Sequence, residues 1–432
     1  MTESRLAPWL SASRWPTAPI RLVARLGSGH TPSRSKPEYW NDCTVPWITL
    51  ADVWQIRDGR TKVITETKEK VSLLGLANSA AVRHPAGTVI LSRTASVGFS
   101  AIIGCDMATS QDFATWTCGP KLEPRYLLHA LRGMAPDLKR VATGSTHKTI
   151  YMPDIEQLRV PLPPREEQRR IADFLDAETA RIDRLIELQC LTMNKLDERE
   201  RAQLDSAVDE LLDRWGTVPL RRFLRGVDQG TSPQADAFPA GPDEWGVLKV
   251  SSLRPGRFFP NANKRLPADL QPDVRNEVRA GDLLITRANT PQLVGSTAVV
   301  PQTRRKLLLS DKIFRVLLDQ RITAEFVAMV ARGSRIRGLC SASSNGASQS
   351  MANIRFEEVK AWPIPAATLD AQHEVVKQFD QQRSALDELR TMIERQISLL
   401  TERRQALITA AVTGQFDVST AAGRNVTEGV TV

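Results

Sequence analysis

Five histidines (His30, His84, His129, His147, His373) and five cysteines (Cys43, Cys105, Cys118, Cys190, Cys340) are the side chains with which this chain could ligate a metal or supply a soft nucleophile. They form no C-x-x-C pair, and the histidines stand at no ligand-like spacing from the cysteines or from one another. A metal nuclease site can be sketched at Pro272-Asp273 with Glu277-Val278-Arg279, but the acidic spacing is short and arginine replaces the usual lysine. An amino-methyltransferase needs an Asn/Asp-Pro-Pro-aromatic motif to receive the target amine. Only Pro163-Pro164 comes near it, and these prolines read as the lead-in to a helix. No G-x-x-x-x-G-K-[ST] phosphate loop is present. A self-contained nuclease or DNA-modifying enzyme therefore requires an unfamiliar site.

A second set of residues has the chemistry of recognition. Reading a duplex takes Arg, Lys, Asn or Gln at base edges and small polar groups near phosphates. Arg93, Thr94 and Ser96 follow the glycine-led apolar stretch AGTVILS, and Arg287 and Asn289 take the same place after AGDLLIT. A polar loop, Ser145, Thr146, His147 and Lys148, is matched by Ser344, Asn345, Ser348 and Gln349. For any single one of these residues, structural use of the loop is an equal reading.

The charge distribution supports recognition of a polyanion. Of 432 residues with net charge +9, residues 1–164 carry 20 basic and 13 acidic side chains and residues 215–370 carry 22 and 14. Residues 165–214 carry 9 and 14, and residues 371–432 carry 7 and 8. Two basic blocks thus alternate with two that are not, which suggests two separate contacts with nucleic acid. No run of about eighteen apolar residues exists to span a membrane. The odd cysteine number and the lack of an apolar leader read as a cytoplasmic protein with reduced thiols.

The elements that must position these residues are duplicated. RWPTAPIR (14–21) returns as RWGTVPLR (214–221), with five of eight letters identical. VPWITLADV (45–53) faces WGVLKVSSL (245–253), and both alternate as strands do. EPRYLLHALRG (123–133) faces TAEFVAMVARG (323–333), a short helix ending in Arg-Gly each time. Each copy reads as a mixed α/β globule of about 150 residues, an ordinary domain size.

After each globule the apolar period changes to that of a helix seam. Ile171, Leu175, Ile182, Leu185 and Leu196 line the first helix; Val375, Phe379, Leu386, Leu389, Ile393, Leu400 and Leu407 line the second. From Gln168 to Val208 and from Gln372 to Val412 neither segment contains Gly or Pro. The step of four and three is coiled-coil spacing, and two seams in one chain most simply pack on each other, antiparallel and about a pseudo-two-fold axis. Packing of each helix on its own globule is the alternative. The expected organisation is a globule at 1–164, a long helix at 165–213, a second globule at 214–370, a second helix at 371–414 and a tail at 415–432.

At PLPPREEQRRIADFLD (161–176) and ERRQALITAAVTGQFDV (402–418) the chain resembles the specificity subunits of type I restriction-modification systems. GSGHTPSRSKPEYW (27–40) followed by VPWITLADV resembles a recurrent opening of their target-recognition domains. The resemblance implies that each globule reads half of a split DNA site. It implies helices that set the gap and dock two methyltransferase subunits, with separate motor-nuclease subunits cutting DNA. Catalysis and its cofactors, S-adenosylmethionine for adenine-N6 methylation and ATP with Mg for cleavage, would then lie in the partners and not in this chain. The chain departs from the pattern where PIPAATLDAQ leads into the second helix, which leaves that junction open to a different angle, and where the second globule opens GTSP without a Tyr-Trp pair. A coiled-coil adaptor with no DNA role is the remaining class, and the two basic blocks argue against it.

Overall fold

The structure, a computed structural model, describes residues 8–144, 148–343 and 352–419. Four helices organise it: α1 (Pro124–Gly133), α2 (Arg165–Trp215), α3 (Ala324–Val330) and α4 (Leu369–Thr413). The chain divides into two compact units. One combines residues 1–190 with 394–432 and the other is 191–393, so each unit holds one globule and a part of both long helices.

In the first unit the central sheet is built from β1 (Ala24–Ser28), β2 (Val89–Ser92), β3 (Ser100–Ile103) and β4 (Phe113–Cys118). Its order is β1-β4-β2-β3, with the short strand Val63–Ile64 parallel to β3 at the edge and all other pairs antiparallel. Every residue of β2 and β3 is buried, which is why VILS and SAII read as continuous apolar runs rather than alternating ones. The opening octapeptide supplies Thr17–Pro19, which pairs antiparallel with Arg159–Pro161 just before α2.

The second unit repeats the plan with β5 (Leu224–Gln229), β6 (Leu283–Thr286), β7 (Thr297–Val299) and β8 (Ile313–Leu318) in the order β5-β8-β6-β7. Thr217–Pro219 pairs with Pro363–Pro365 in the same antiparallel way. The repeated octapeptide therefore marks the strand that closes each globule against the root of its helix.

Both long helices contribute to each core. In the first unit Ile171, Ala172, Leu175 and Ile182 of α2 meet Leu407, Ile408, Ala411 and Val412 of α4 around Tyr126, Leu127 and Leu131 of α1. The Tyr126 hydroxyl lies 3.0 and 3.1 Å from the Pro161 and Val412 carbonyls, which share its one proton. In the second unit Leu204 and Val208 of α2 and Phe379 of α4 pack with Phe326, Val327 and Val330 of α3 and with Trp362. The helix segments thus pack on the globule and on each other, and the two alternatives weighed from sequence hold together. Gly414 ends α4 with φ +72°, the left-handed conformation of a C-terminal cap.

Within each unit the segments of α2 and α4 run antiparallel. Asp183 pairs with Arg404 at 3.0 Å and Gln189 donates to Gln396 at 2.9 Å in the first unit. Asp197 and Glu200 pair with Arg390 at 2.7 and 2.6 Å in the second. Two seam assignments are corrected. Leu185 and Leu389 are 45% and 42% exposed, whereas Leu386 and Ile393 are buried and Leu196, Val375 and Leu400 half-buried. After Ile182 and Leu386 the contact line takes a step of four to Ile186 and Arg390, not a step of three. Both steps stay near one face at 3.6 residues per turn. The choice falls to Arg390 because it is held by Asp197, Glu200 and Asp387 and its side chain is only 13% exposed. The seam is laced with ion pairs where the sequence pattern called for leucine.

Candidate nucleic-acid interface

In the first globule the turn between β2 and β3 carries Arg93, Thr94 and Ser96. Thr94 bridges to Thr149, and the Ala95 N–H donates to the Lys148 carbonyl at 2.8 Å. Lys148, the described residue of the second stretch, therefore lies beside the first stretch and is exposed. Ala95 sits at φ +57°, which tightens the turn beneath them. The Arg93 backbone N–H donates to the Asp112 carbonyl, its own carbonyl accepts from Ile150, and its Nη1 reaches the Ile150 carbonyl at 3.4 Å. Ser145, Thr146 and His147 lie outside the described residues.

Beside this turn is a cleft of about 320 Å³ that sequence reasoning missed. Arg57, Lys139 and Lys148 line it together with Ala95, Ser96 and Phe99, and no carboxylate is among its lining residues. Arg57 lies more than eighty residues before Lys139 and Lys148, so no local motif announced the group. Such a cleft suits a phosphate group.

The second globule repeats the backbone framework. The Arg287 N–H donates to the Lys312 carbonyl, and the Ile354 N–H donates to the Arg287 carbonyl. Arg287 Nη1 reaches the Asp311 carbonyl at 3.4 Å. Asn289 faces inward: it is buried, pairs with Ala352 in a short ladder, and its Oδ1 accepts the Thr290 N–H at 2.9 Å. Ser344, Asn345, Ser348 and Gln349 lie outside the described residues.

The groups that resembled chemistry serve structure. Asp273 pairs with Arg275 at 3.0 Å and accepts from Asn276, while Glu277 accepts the Lys306 N–H at 2.8 Å. His129 is buried with Nε2 2.9 Å from Asp176 Oδ1, and Lys62 reaches the same oxygen at 2.6 Å. Burial lowers the His129 pKa against the opposing pull of Asp176. Burial alone would raise the Asp176 carboxyl, but hydrogen bonds from His129 and Lys62 outweigh it and hold it well below the usual range. This cluster ties α1 to α2. Among the described residues no helix is long and apolar enough to cross a membrane.

Comparison with known proteins places this geometry. Residues 13–189 match the type I restriction modification DNA specificity domain. The chain is 29% identical over 187 residues to the EcoEI specificity subunit of Escherichia coli, covering 43% of this chain and 32% of that protein. It is 30% identical over 167 residues to the MjaIX specificity subunit of Methanocaldococcus jannaschii, covering 37% of each. These alignments span about a third of the relatives' length. A solved structure, described as the basis of complex assembly and conformational transition of a type I R-M system, superposes with a TM-score of 0.68 at 18% identity. That superposition covers 93% of this chain and 98% of the other, and it speaks for the fold.

Proposed function

We propose that this chain is a specificity subunit of a type I restriction-modification system and that it binds duplex DNA, each globule reading one half of a bipartite site. The observation that carries this reading is the repeated framework around Arg93 and Arg287, set in two globules that each bear a net positive charge. Arg93, Thr94, Ser96 and Lys148 face DNA in the first globule and Arg287 in the second. Arg57 and Lys139 hold a phosphate beside the first group.

The long helices set the unread gap and dock two methyltransferase subunits. Leu185, Leu188 and Leu191 on α2, and Leu389, Met392 and Leu399 on α4, are between 42% and 55% exposed, more apolar surface than a solvated helix needs. The chemistry lies in the partners: adenine-N6 methylation with S-adenosylmethionine in the methyltransferase subunits, and ATP- and Mg-dependent cleavage in motor-nuclease subunits, all in the cytoplasm.

The test is reconstitution. The purified chain binds DNA weakly and methylates nothing; adding its methyltransferase partner and S-adenosylmethionine gives site-specific methylation. Exchange of residues 214–370 for the matching globule of a related protein changes one half-site and spares the other. Methyl transfer by the chain alone, or simultaneous change of both half-sites, contradicts the proposal.

A further inference from the structure

A G-x-[T/S]-P loop opens each globule after its first central strand: Gly29-His30-Thr31-Pro32 after β1 and Gly230-Thr231-Ser232-Pro233 after β5. Each glycine is pressed onto a carbonyl. A Cβ on Gly29 would lie 1.8 Å from the Thr109 oxygen, and one on Gly230 would lie 1.9 Å from the Leu309 oxygen. No other residue type permits that approach, so the loop is fixed against the same strand edge in both globules.

The hydroxyl two residues after each glycine then holds one side chain at the tip of a tight turn. Thr31 Oγ1 donates to Gln111 Oε1 at 2.7 Å. Ser232 Oγ donates to Asp311 Oδ1. Gln111 and Asp311 occupy the same place in turns closed by Phe113 N–H to Ser110 O and by Ile313 N–H to Ser310 O. The next residue in each turn, Asp112 or Lys312, gives its carbonyl to the Arg93 or Arg287 N–H. The scaffold is thus the same, the side chain is pre-oriented, and only its hydrogen-bonding character differs.

We propose that Gln111 and Asp311 are specificity-determining residues, the first reading a base edge in the half-site of its own globule and the second in the other. This rests on the DNA-reading function proposed above. With Oε1 engaged by Thr31, exposed Gln111 presents its Nε2 donors at a fixed place while the carbonyl keeps a second lone pair, the donor–acceptor pair that matches adenine. Asp311 offers acceptors only and matches the amino group of cytosine. Neither side chain is needed to close a core, yet each is anchored. An anchored polar side chain beside Arg93 or Arg287 is what base discrimination requires, because rotamer freedom lost before binding is not lost again on binding.

The experiment maps methylated sites made by the reconstituted complex of full-length chain, methyltransferase partner and S-adenosylmethionine, for wild type, Q111A, Q111E and D311N. Q111E keeps an acceptor for Thr31, and melting temperatures confirm that each variant folds. Q111A is expected to lose about tenfold to a hundredfold of discrimination at one base pair of one half-site. Q111E is expected to shift that base pair toward cytosine, and D311N to act only in the other half-site. Folded variants that keep every base preference of the wild type overturn the inference while leaving DNA reading intact. A wild-type complex that selects no site overturns the DNA-reading proposal itself.

Discussion

Gln168 and Gln372 make the same three hydrogen bonds at the roots of α2 and α4. Gln168 Oε1 accepts the Glu123 N–H at 2.9 Å, and its Nε2 donates to the Lys121 and Pro163 carbonyls at 3.0 and 2.9 Å. Gln372 accepts the Thr323 N–H at 2.9 Å and donates to the Arg321 and Ala367 carbonyls at 3.0 and 2.9 Å. Both are essentially fully buried. The second junction departs from the first in sequence, PIPAATLDAQ against PLPPREEQ, and keeps its bonding intact.

That relationship gives the first prediction. Gln168→Met keeps the volume but leaves one N–H and two carbonyls unpaired in the interior. It is expected to cost about 2–4 kcal/mol in urea unfolding. Gln168→Glu aims a buried charge at two carbonyls and is expected to cost at least as much. A loss below about 0.5 kcal/mol for either variant would sink the assignment.

A second prediction concerns acid. Well above pH 6.5 His129 is neutral whether folded or not, so it imposes no penalty. As pH falls below 6.5 the unfolded chain takes the proton first, because the folded value is lowered, and stability declines. Asp176 adds a second limb: its folded pKa is depressed, so its contribution is full above 3.8 and is lost as pH falls through the lower folded value. His129→Gln should flatten the decline between about pH 6.5 and 5. Identical slopes for variant and wild type in that window would refute the role given to His129.

The corrected seam separates neighbouring leucines. Leu386→Ala removes a buried side chain and should cost about 2–5 kcal/mol, while Leu389→Ala should cost under about 1 kcal/mol. Arg390→Met takes the ion-pair partner from Asp197 but leaves Glu200 its Arg332 contact and Asp387 its Arg257 and Arg383 contacts, so a loss of about 1–3 kcal/mol is expected. Equal losses at Leu386 and Leu389 in chemical denaturation would restore the discarded frame.

The cationic cleft makes a prediction about salt. If Lys139 and Lys148 each neutralise a phosphate, the double change K139A/K148A should lower the slope of log affinity against log salt by about 1.8 and weaken binding to all sequences alike. Filter or anisotropy titrations between about 50 and 200 mM salt measure it. An unchanged slope removes the cleft from the interface.

The helices as a ruler can be tested by adding one heptad after Leu185 and one after Leu389, which preserves the seven-residue repeat of both helices. The insertion adds about 10 Å of helix, or roughly three base pairs. Methylation mapping should return the same two half-sites with a wider gap, at reduced affinity because three base pairs also rotate the second half-site. Unchanged spacing in a fully active complex would mean that other elements fix the distance.

Much of this architecture follows from local sequence. The duplication is visible because RWPTAPIR and RWGTVPLR each encode a strand that must close a globule against its helix. The two long helices are visible because 41 residues of helical apolar spacing without Gly or Pro, from Gln168 to Val208 and again from Gln372 to Val412, admit little else. Arg93 and Arg287 stand out because each follows a fully buried strand, where a charged residue has no place unless the chain has left the core.

Tertiary structure decided what depends on partners remote in the chain. Periodicity alone could not choose between Leu389 and Arg390, since steps of three and four both return near one helix face. Asp197, Glu200 and Asp387 made the choice by neutralising the arginine. Asn289 looked like a base reader, yet pairing with a strand more than sixty residues on turned it inward. The cleft of Arg57, Lys139 and Lys148, and the matched tips at Gln111 and Asp311, exist only once the sheets bring separate loops together. Local sequence sets which backbone forms; the surroundings of a side chain, and so its charge state and its exposure, are set by whatever the fold places against it.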